Sequence, residues 1–78
     1  MLDVELHVHI PQRALYRGDW KLVVQADGFT ELYNLARDPS EMTNLAQAKS
    51  TDRIIKQLIA NMREAMITTA DPFVLPSD

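Results

Sequence analysis

Two histidines near the start of the chain have a spacing that suggests metal chemistry. His7 and His9 flank Val8, so in an extended strand both imidazoles lie on one face, beside the Glu5 carboxylate. Two imidazoles and a carboxylate can bind zinc or a similar divalent ion. The same spacing also describes a solvent-exposed strand face that happens to contain histidine. We favour this second interpretation, so the sequence predicts no metal site and no cofactor.

The residue types that covalent catalysis needs are scarce. The chain contains no cysteine, which excludes a thiolate nucleophile and a thiolate metal site. It contains no G-x-S-x-G turn, and its two histidines give a serine triad little support. Its two glycines, Gly18 and Gly28, cannot form a glycine-rich phosphate loop. We therefore expect no catalysis from this chain alone.

Three basic residues follow one another at short intervals and could contact an anion. Arg13, Arg17 and Lys21 would suit a sulfated or phosphorylated sugar, with nearby aromatic rings as a platform. Those rings belong to Tyr16, Trp20, Phe29 and Tyr33. In the alternative that we favour, the cations pair with acids such as Asp19 or Glu31, and the rings pack between a sheet and a helix.

Length and composition limit the class of protein. The sequence has 78 residues, enough for one domain, residues 1–78. Its net charge of −3 has the wrong sign for a general nucleic-acid binder. Its apolar runs are far shorter than the roughly 20 residues of a membrane span. The first residues lack the basic start and apolar centre of a signal peptide. The compartment stays unknown, and a cytoplasmic location is expected if the chain is the full product.

Alternating polarity in the first half of the chain predicts a four-stranded antiparallel meander. Val4, Leu6, Val8 and Ile10 alternate with polar residues, which is the period of a half-buried strand. Short turn signals separate the segments that follow. The four predicted strands cover residues 3–10, 13–17, 20–25 and 29–34.

The second half of the chain changes to a helical period. Apolar residues recur at helical spacing from residue 51 to 66, and Ser50 or Thr51 can cap this helix. An extended tail is predicted over residues 68–78. The predicted fold class is therefore α+β, with one C-terminal amphipathic helix packed on one face of the sheet.

The join between the last strand and the helix carries a run of turn-forming and polar residues. Asp38 can accept backbone hydrogen bonds, and Pro39 presets the second position of a turn. This join is part of a longer pattern that resembles the C-terminal subdomain of the sulfatase family (type I sulfatases, within the alkaline-phosphatase-like superfamily). The pattern consists of RALYRGDWKLVV, then ELYNLARDPSEMTNLA, then the amphipathic helix.

The resemblance covers most of the chain, from residue 13 to about residue 72. The matching residues are Arg13, Arg17, Lys21, Leu22, Glu31, Leu32, Tyr33, Leu35, Asp38, Pro39, Glu41, Asn44 and Leu45. The chain departs from the family pattern at Asn34, Ser40 and Met42, which concern details of the turn.

The resemblance implies a small sheet with a helix packed on it, and a structural role. In the family this subdomain packs on a large α/β catalytic domain and helps to wall the substrate cleft. The catalytic apparatus lies in that larger domain, and no position of this chain matches its motifs. The implied role is therefore that of a non-catalytic structural and interaction module.

Under this interpretation the motif residues hold the fold together. Glu41 and Asn44 are expected to satisfy backbone groups of the loop, Leu45 to fill the gap between sheet and helix, and Tyr33 to pack under Leu45.

A module separated from its catalytic domain would expose the face that normally docks there. Exposed apolar patches favour association, and a small core gains from oligomerisation. We expect a homo-oligomer, most simply a two-fold dimer, formed through the first strand or the apolar helix face. The alternative partner is the missing sulfatase catalytic domain. Neither a nucleic acid nor a membrane is expected as a partner.

Overall fold

In the computed structural model, which describes residues 11–75, the chain forms an antiparallel sheet followed by a helix. The strands are β1 (Gln12–Arg17), β2 (Trp20–Gln25) and β3 (Thr30–Asn34). They lie in the order β1-β2-β3. A short 3-10 helix, Lys49–Thr51, leads into the helix α1, Asp52–Thr68.

The predicted four-stranded meander is wrong in its number of strands. Over residues 11–75 the antiparallel sheet has three strands and one helix follows it, so the class is α+β with a smaller sheet. The strand predicted over residues 3–10 lies outside the described residues. Alternating polarity reports only a local preference for extended backbone. Membership of a sheet also requires a hydrogen-bonding partner, which a period of two does not encode.

Two tight turns join the three strands. Gly18 and Gly28 occupy them with φ angles of +58° and +98°, where a side chain would strain the backbone. At the second turn, Asp27 Oδ1 also accepts a hydrogen bond of 3.0 Å from the Phe29 N–H. These turns set a register in which Leu22 lies between Leu15 and Leu32.

The core lies between one face of the sheet and α1. Its buried residues are Leu22, Val24 and Leu32 from the sheet, with Leu58 and Met62 from the helix. The remaining apolar residues of the helix stripe, Ile54, Ile55, Ile59 and Met66, are partly buried against this core. The chain's own sheet therefore covers most of the apolar helix face that was expected to be a possible dimer surface.

No helix within residues 11–75 has the length and apolar character that crossing a membrane requires.

The opposite side of the sheet, called the outer face, is defined by Tyr16, Lys21, Val23, Glu31 and Tyr33. The strand register places Tyr16, Lys21 and Tyr33 in one row across the three strands. Val23 and Tyr33 are buried on this face, although α1, the α-helix of residues 11–75, packs on the other side of the sheet. Tyr33 therefore does not pack under Leu45 as predicted, because Leu45 packs against the core on the helix side.

Candidate functional site

The turn after β3 is closed by one carboxylate. Asp38 Oδ1 accepts a hydrogen bond from the Met42 N–H, and Asp38 Oδ2 accepts one from the Thr43 N–H, both at 2.9 Å. Glu41, which lies between Asp38 and Met42 in the chain, adopts a left-handed backbone conformation with φ +54°, which is uncommon for a residue with a side chain. Both carboxylate oxygens of Asp38 therefore serve the backbone of this turn.

Asn44 completes the free edge of β3. Its Oδ1 accepts hydrogen bonds of 2.9 Å from the N–H groups of Leu32 and Ala46, and its Nδ2 donates one of 3.2 Å to the Thr30 carbonyl. The Leu45 N–H donates a further bond of 2.8 Å to the Leu32 carbonyl. The amide of Asn44 and the backbone of Leu45 thus replace a neighbouring strand at this edge, which protects it from pairing with another chain.

Two more side chains fix the ends of the same loop. Asn34 Oδ1 accepts hydrogen bonds from the N–H groups of Ala36 and Arg37 at 3.0 and 3.2 Å. The buried Thr51 hydroxyl lies within 2.6 Å of the Leu45 carbonyl and 2.8 Å of the Ala48 carbonyl. Thr51 precedes α1, but its side chain makes no capping hydrogen bond to the helix. Its hydroxyl instead stabilises the loop that contains Leu45 and Ala48.

A polar cluster covers part of the outer face. Lys21 Nζ donates to both carboxylate oxygens of Glu41, at 2.9 and 3.1 Å, and lies 5.5 Å from the centre of the Tyr16 ring. The hydrogen bond to Glu41 is the main reason why the pKa of Lys21 is raised. The Tyr33 hydroxyl donates to Glu31, and this bond, helped by burial, raises the pKa of Tyr33 to about 12. Glu41 was predicted to bond loop backbone, and its carboxylate instead joins the loop to the sheet.

The segment that follows α1 is fastened to β1 by a forked ion pair. Arg13 Nε donates to Asp71 Oδ2 at 2.7 Å, and Arg13 Nη2 donates to Asp71 Oδ1 at 2.8 Å. The guanidinium also lies 4.6 Å from the centre of the Phe73 ring. The bond from Arg13, together with one from the Phe73 N–H, lowers the pKa of Asp71 to about 2.

This ion pair predicts a pH dependence of stability. The pKa of Asp71 is about 2 in the folded chain and 3.8 ordinarily, so its stabilisation is present above pH 3.8 and disappears as the pH falls towards 2. We expect the Asp71→Asn variant to melt at a lower temperature than the parent chain at pH 6, and the difference to shrink below pH 3.8. Thermal melts from pH 6 to pH 2 measure it.

Glu64→Gln is the matched control, because Glu64 is an exposed carboxylate on α1. A difference in melting temperature between Asp71→Asn and the parent that stays constant over the whole range would contradict the assignment to this ion pair.

The three cations predicted to contact an anion do not converge. Arg13 is paired with Asp71, and Lys21 is paired with Glu41 on the outer face. Arg17 lies on the helix side, where its Nη1 donates to Asn61 Oδ1. The described geometry therefore does not support one site that contains all three.

The predicted metal ligands cannot be placed. His7, His9 and Glu5 lie outside the described residues. Within residues 11–75, no group of three or more His, Cys, Asp or Glu side chains is arranged to hold a metal ion.

An open groove between the β1–β2 turn and the start of α1 was not predicted. This Trp20 groove has a volume of about 630 Å³. Its lining consists of Arg17, Gly18, Asp19, Trp20, Asn34, Arg53, Ile54, Gln57 and Leu58. The sequence does contain one indication of this groove. Arg53 and Gln57 are one helical turn apart, so they lie together on the polar side of the predicted helix.

Comparisons with known proteins give one relative. No family model matches the chain, and no solved structure matches it. A segment of 65 residues, 83% of the chain, is 42% identical to an uncharacterized protein of Haemophilus influenzae. The chain spans about a third of the length of that relative (34%). The sulfatase resemblance therefore depends on the motif residues of this sequence alone.

Proposed function

We propose that the chain is a non-catalytic structural and interaction module of the sulfatase C-terminal type. In a parent enzyme it would pack on the catalytic domain and help to wall the substrate cleft. The shared segment makes up about a third of the Haemophilus influenzae relative, so a unit of this kind occurs within a longer chain.

The structural part of the proposal rests on one observation. The polar side chains of the motif bond to other groups of the same chain. Asp38 serves two N–H groups of its own turn, and Asn44 serves two N–H groups and one carbonyl. Glu41 is paired with Lys21. A catalytic or ligand-binding set needs polar groups directed at another molecule. In this motif those groups hold a loop, a strand edge and a sheet face in place.

The outer face is the docking surface in this proposal. Tyr16 is 63% exposed there, and Met42, the residue after Glu41, is 80% exposed. Tyrosine and methionine are enriched in protein interfaces. The apolar stripe of α1 is a poorer choice, because the sheet already covers most of it. In the isolated chain we expect a second copy to occupy the outer face and form a two-fold dimer.

The solution mass of the purified chain, measured by light scattering after gel filtration, tests this proposal. We expect the parent chain to be a dimer, and Tyr16→Ser and Met42→Ser to shift the mass towards the monomer. Ile67→Ser is the matched control, since Ile67 is 76% exposed but lies on the last turn of α1. Far-UV circular dichroism confirms that each variant is folded.

Two results would contradict the docking surface. One is a parent chain that stays monomeric at high concentration. The other is dissociation of the dimer by Ile67→Ser to the same extent as by Tyr16→Ser.

A further inference from the structure

The Trp20 groove combines an aromatic wall with positive charge. Trp20 is half-buried and packs against the core, which fixes the position of its indole. An indole presents a broad apolar surface on which a flat ring can stack. Ile54 and Leu58 extend this apolar wall along α1. The groove therefore provides an apolar surface on which a ring can pack, which a charged patch on a convex surface lacks.

Two arginines border the groove, and the side chain of one of them makes no bond to the described residues. The Arg53 side chain forms no hydrogen bond or ion pair with any residue in 11–75, whereas the Arg17 side chain uses one nitrogen to bond Asn61. A guanidinium has several N–H donors in a planar fork that matches the oxygens of a carboxylate, sulfate or phosphate. The Arg53 guanidinium is thus available to contact an anion, and Arg17 has donors left to assist it.

The other polar groups of the lining limit the charge of a ligand. Asp19 contributes a carboxylate, so the two arginines and Asp19 together leave a single net positive charge. Gln57 and the Nδ2 of Asn34 add neutral hydrogen-bonding groups, since the Oδ1 of Asn34 is already bonded to backbone. This balance suits a ligand with one anionic group better than a polyanion.

We propose that the Trp20 groove binds a small ring compound that carries one oxyanion group. The ring stacks on the Trp20 indole, the oxyanion lies against Arg53, and Arg17 contributes a second contact. The site is independent of the proposed docking role, because the groove lies on the helix side of the sheet and the docking surface lies on the outer face.

The intrinsic fluorescence of Trp20 tests the proposal directly, because Trp20 is the single tryptophan of the chain. The probes are phenylacetate, phenyl phosphate and glucuronate, which place the oxyanion on an aromatic or a sugar ring. Benzyl alcohol and glucose are the neutral counterparts, and inorganic phosphate is the anion without a ring. We expect at least one ring anion to give a saturable change below about 10 mM. Its neutral counterpart and inorganic phosphate should bind at least about ten-fold more weakly.

Matched variants locate the site. Arg53→Gln should weaken the best probe at least about ten-fold, as expected for loss of a charge-assisted hydrogen bond. Arg63→Gln should leave the affinity unchanged, because Arg63 is exposed on the same helix but does not line the groove. Thermal melts show whether both variants remain folded.

Three results would overturn the proposal. The first is the absence of a saturable change with every ring anion. The second is equal binding of an anion and its neutral counterpart, or of inorganic phosphate and a ring anion. The third is a folded Arg53→Gln variant with the affinity of the parent chain.

Discussion

Replacing Asn44 with Ala is expected to lower the free energy of unfolding by about 2 kcal/mol. The substitution removes three hydrogen bonds, of which the bond to the part-buried Leu32 N–H matters most. Water can replace Asn44 at the exposed carbonyl of Thr30, so that bond contributes less. Urea unfolding, followed by circular dichroism, measures the change.

Thr43→Ala is the control for the Asn44 prediction. Thr43 is the exposed neighbour of Asn44 and bonds Asp38 through its backbone N–H, which alanine retains. We expect this control to change the free energy of unfolding by less than about 0.5 kcal/mol. If Asn44→Ala unfolds at the same urea concentration as Thr43→Ala, the edge-completing role assigned to Asn44 is wrong.

The same substitution should also change how the chain associates. Without Asn44, the N–H of Leu32 and the carbonyl of Thr30 are free to pair with another chain. We therefore expect Asn44→Ala to form larger species at concentrations where the parent chain has a single defined mass. This effect is distinct from dimer formation through the outer face, because it uses backbone groups at the edge of β3.

Local chemistry in this chain is readable from the sequence. The strand–turn–helix join was predicted from Asp38, Pro39 and Asn44, and the side chains of Asp38 and Asn44 do bond backbone groups in the structure. The bonds of Asp38 close a turn of a few residues, so the turn residues themselves carry the information. The Asp-Gly turn before β3 is readable for the same reason, since Gly28 needs a left-handed backbone.

Contacts between distant positions were not readable from the sequence. Arg13 is 58 positions from Asp71, and no pattern in the sequence links the two. Lys21 and Glu41 are 20 positions apart, and a local assignment gave Glu41 to the loop backbone. The anion site failed to converge for a related reason. Arg13 and Arg17 share the helix side of β1 but bond different partners, whereas Lys21 lies on the outer face. Spacing along the chain therefore does not report proximity.

The Trp20 groove also depends on contacts between distant positions, so the sequence did not predict it. Trp20 was predicted to be core or a ligand platform, and it both packs against the core and lines the groove. Arg53 was assigned only to the polar side of the helix, because its position opposite Trp20 depends on how α1 crosses the sheet. A helix–sheet packing angle is a property of the whole core, and it cannot be inferred from either element alone.

Leu32→Ala is expected to have the largest effect on stability, a loss of about 3 kcal/mol. Leu32 is fully buried at 0% exposure, and it contributes to the core between the sheet and α1. A small domain has a total stability on the order of 5 kcal/mol, so this loss should leave only about 2 kcal/mol and lower the melting temperature substantially. Near-UV circular dichroism, which reports the packing of Trp20 and the tyrosines, should lose its signal at a much lower temperature or urea concentration than in the parent chain.

Val74→Ala is the matched truncation of an apolar side chain, because Val74 is 79% exposed. It should change the stability by less than about 0.5 kcal/mol. Leu32 also carries the N–H and carbonyl that Asn44 and Leu45 complete, so its core contact and its edge bonds stabilise the same strand. The double variant with Asn44→Ala should therefore lose less stability than the two single losses added together. Strict additivity would mean that the loop and the core stabilise the sheet independently.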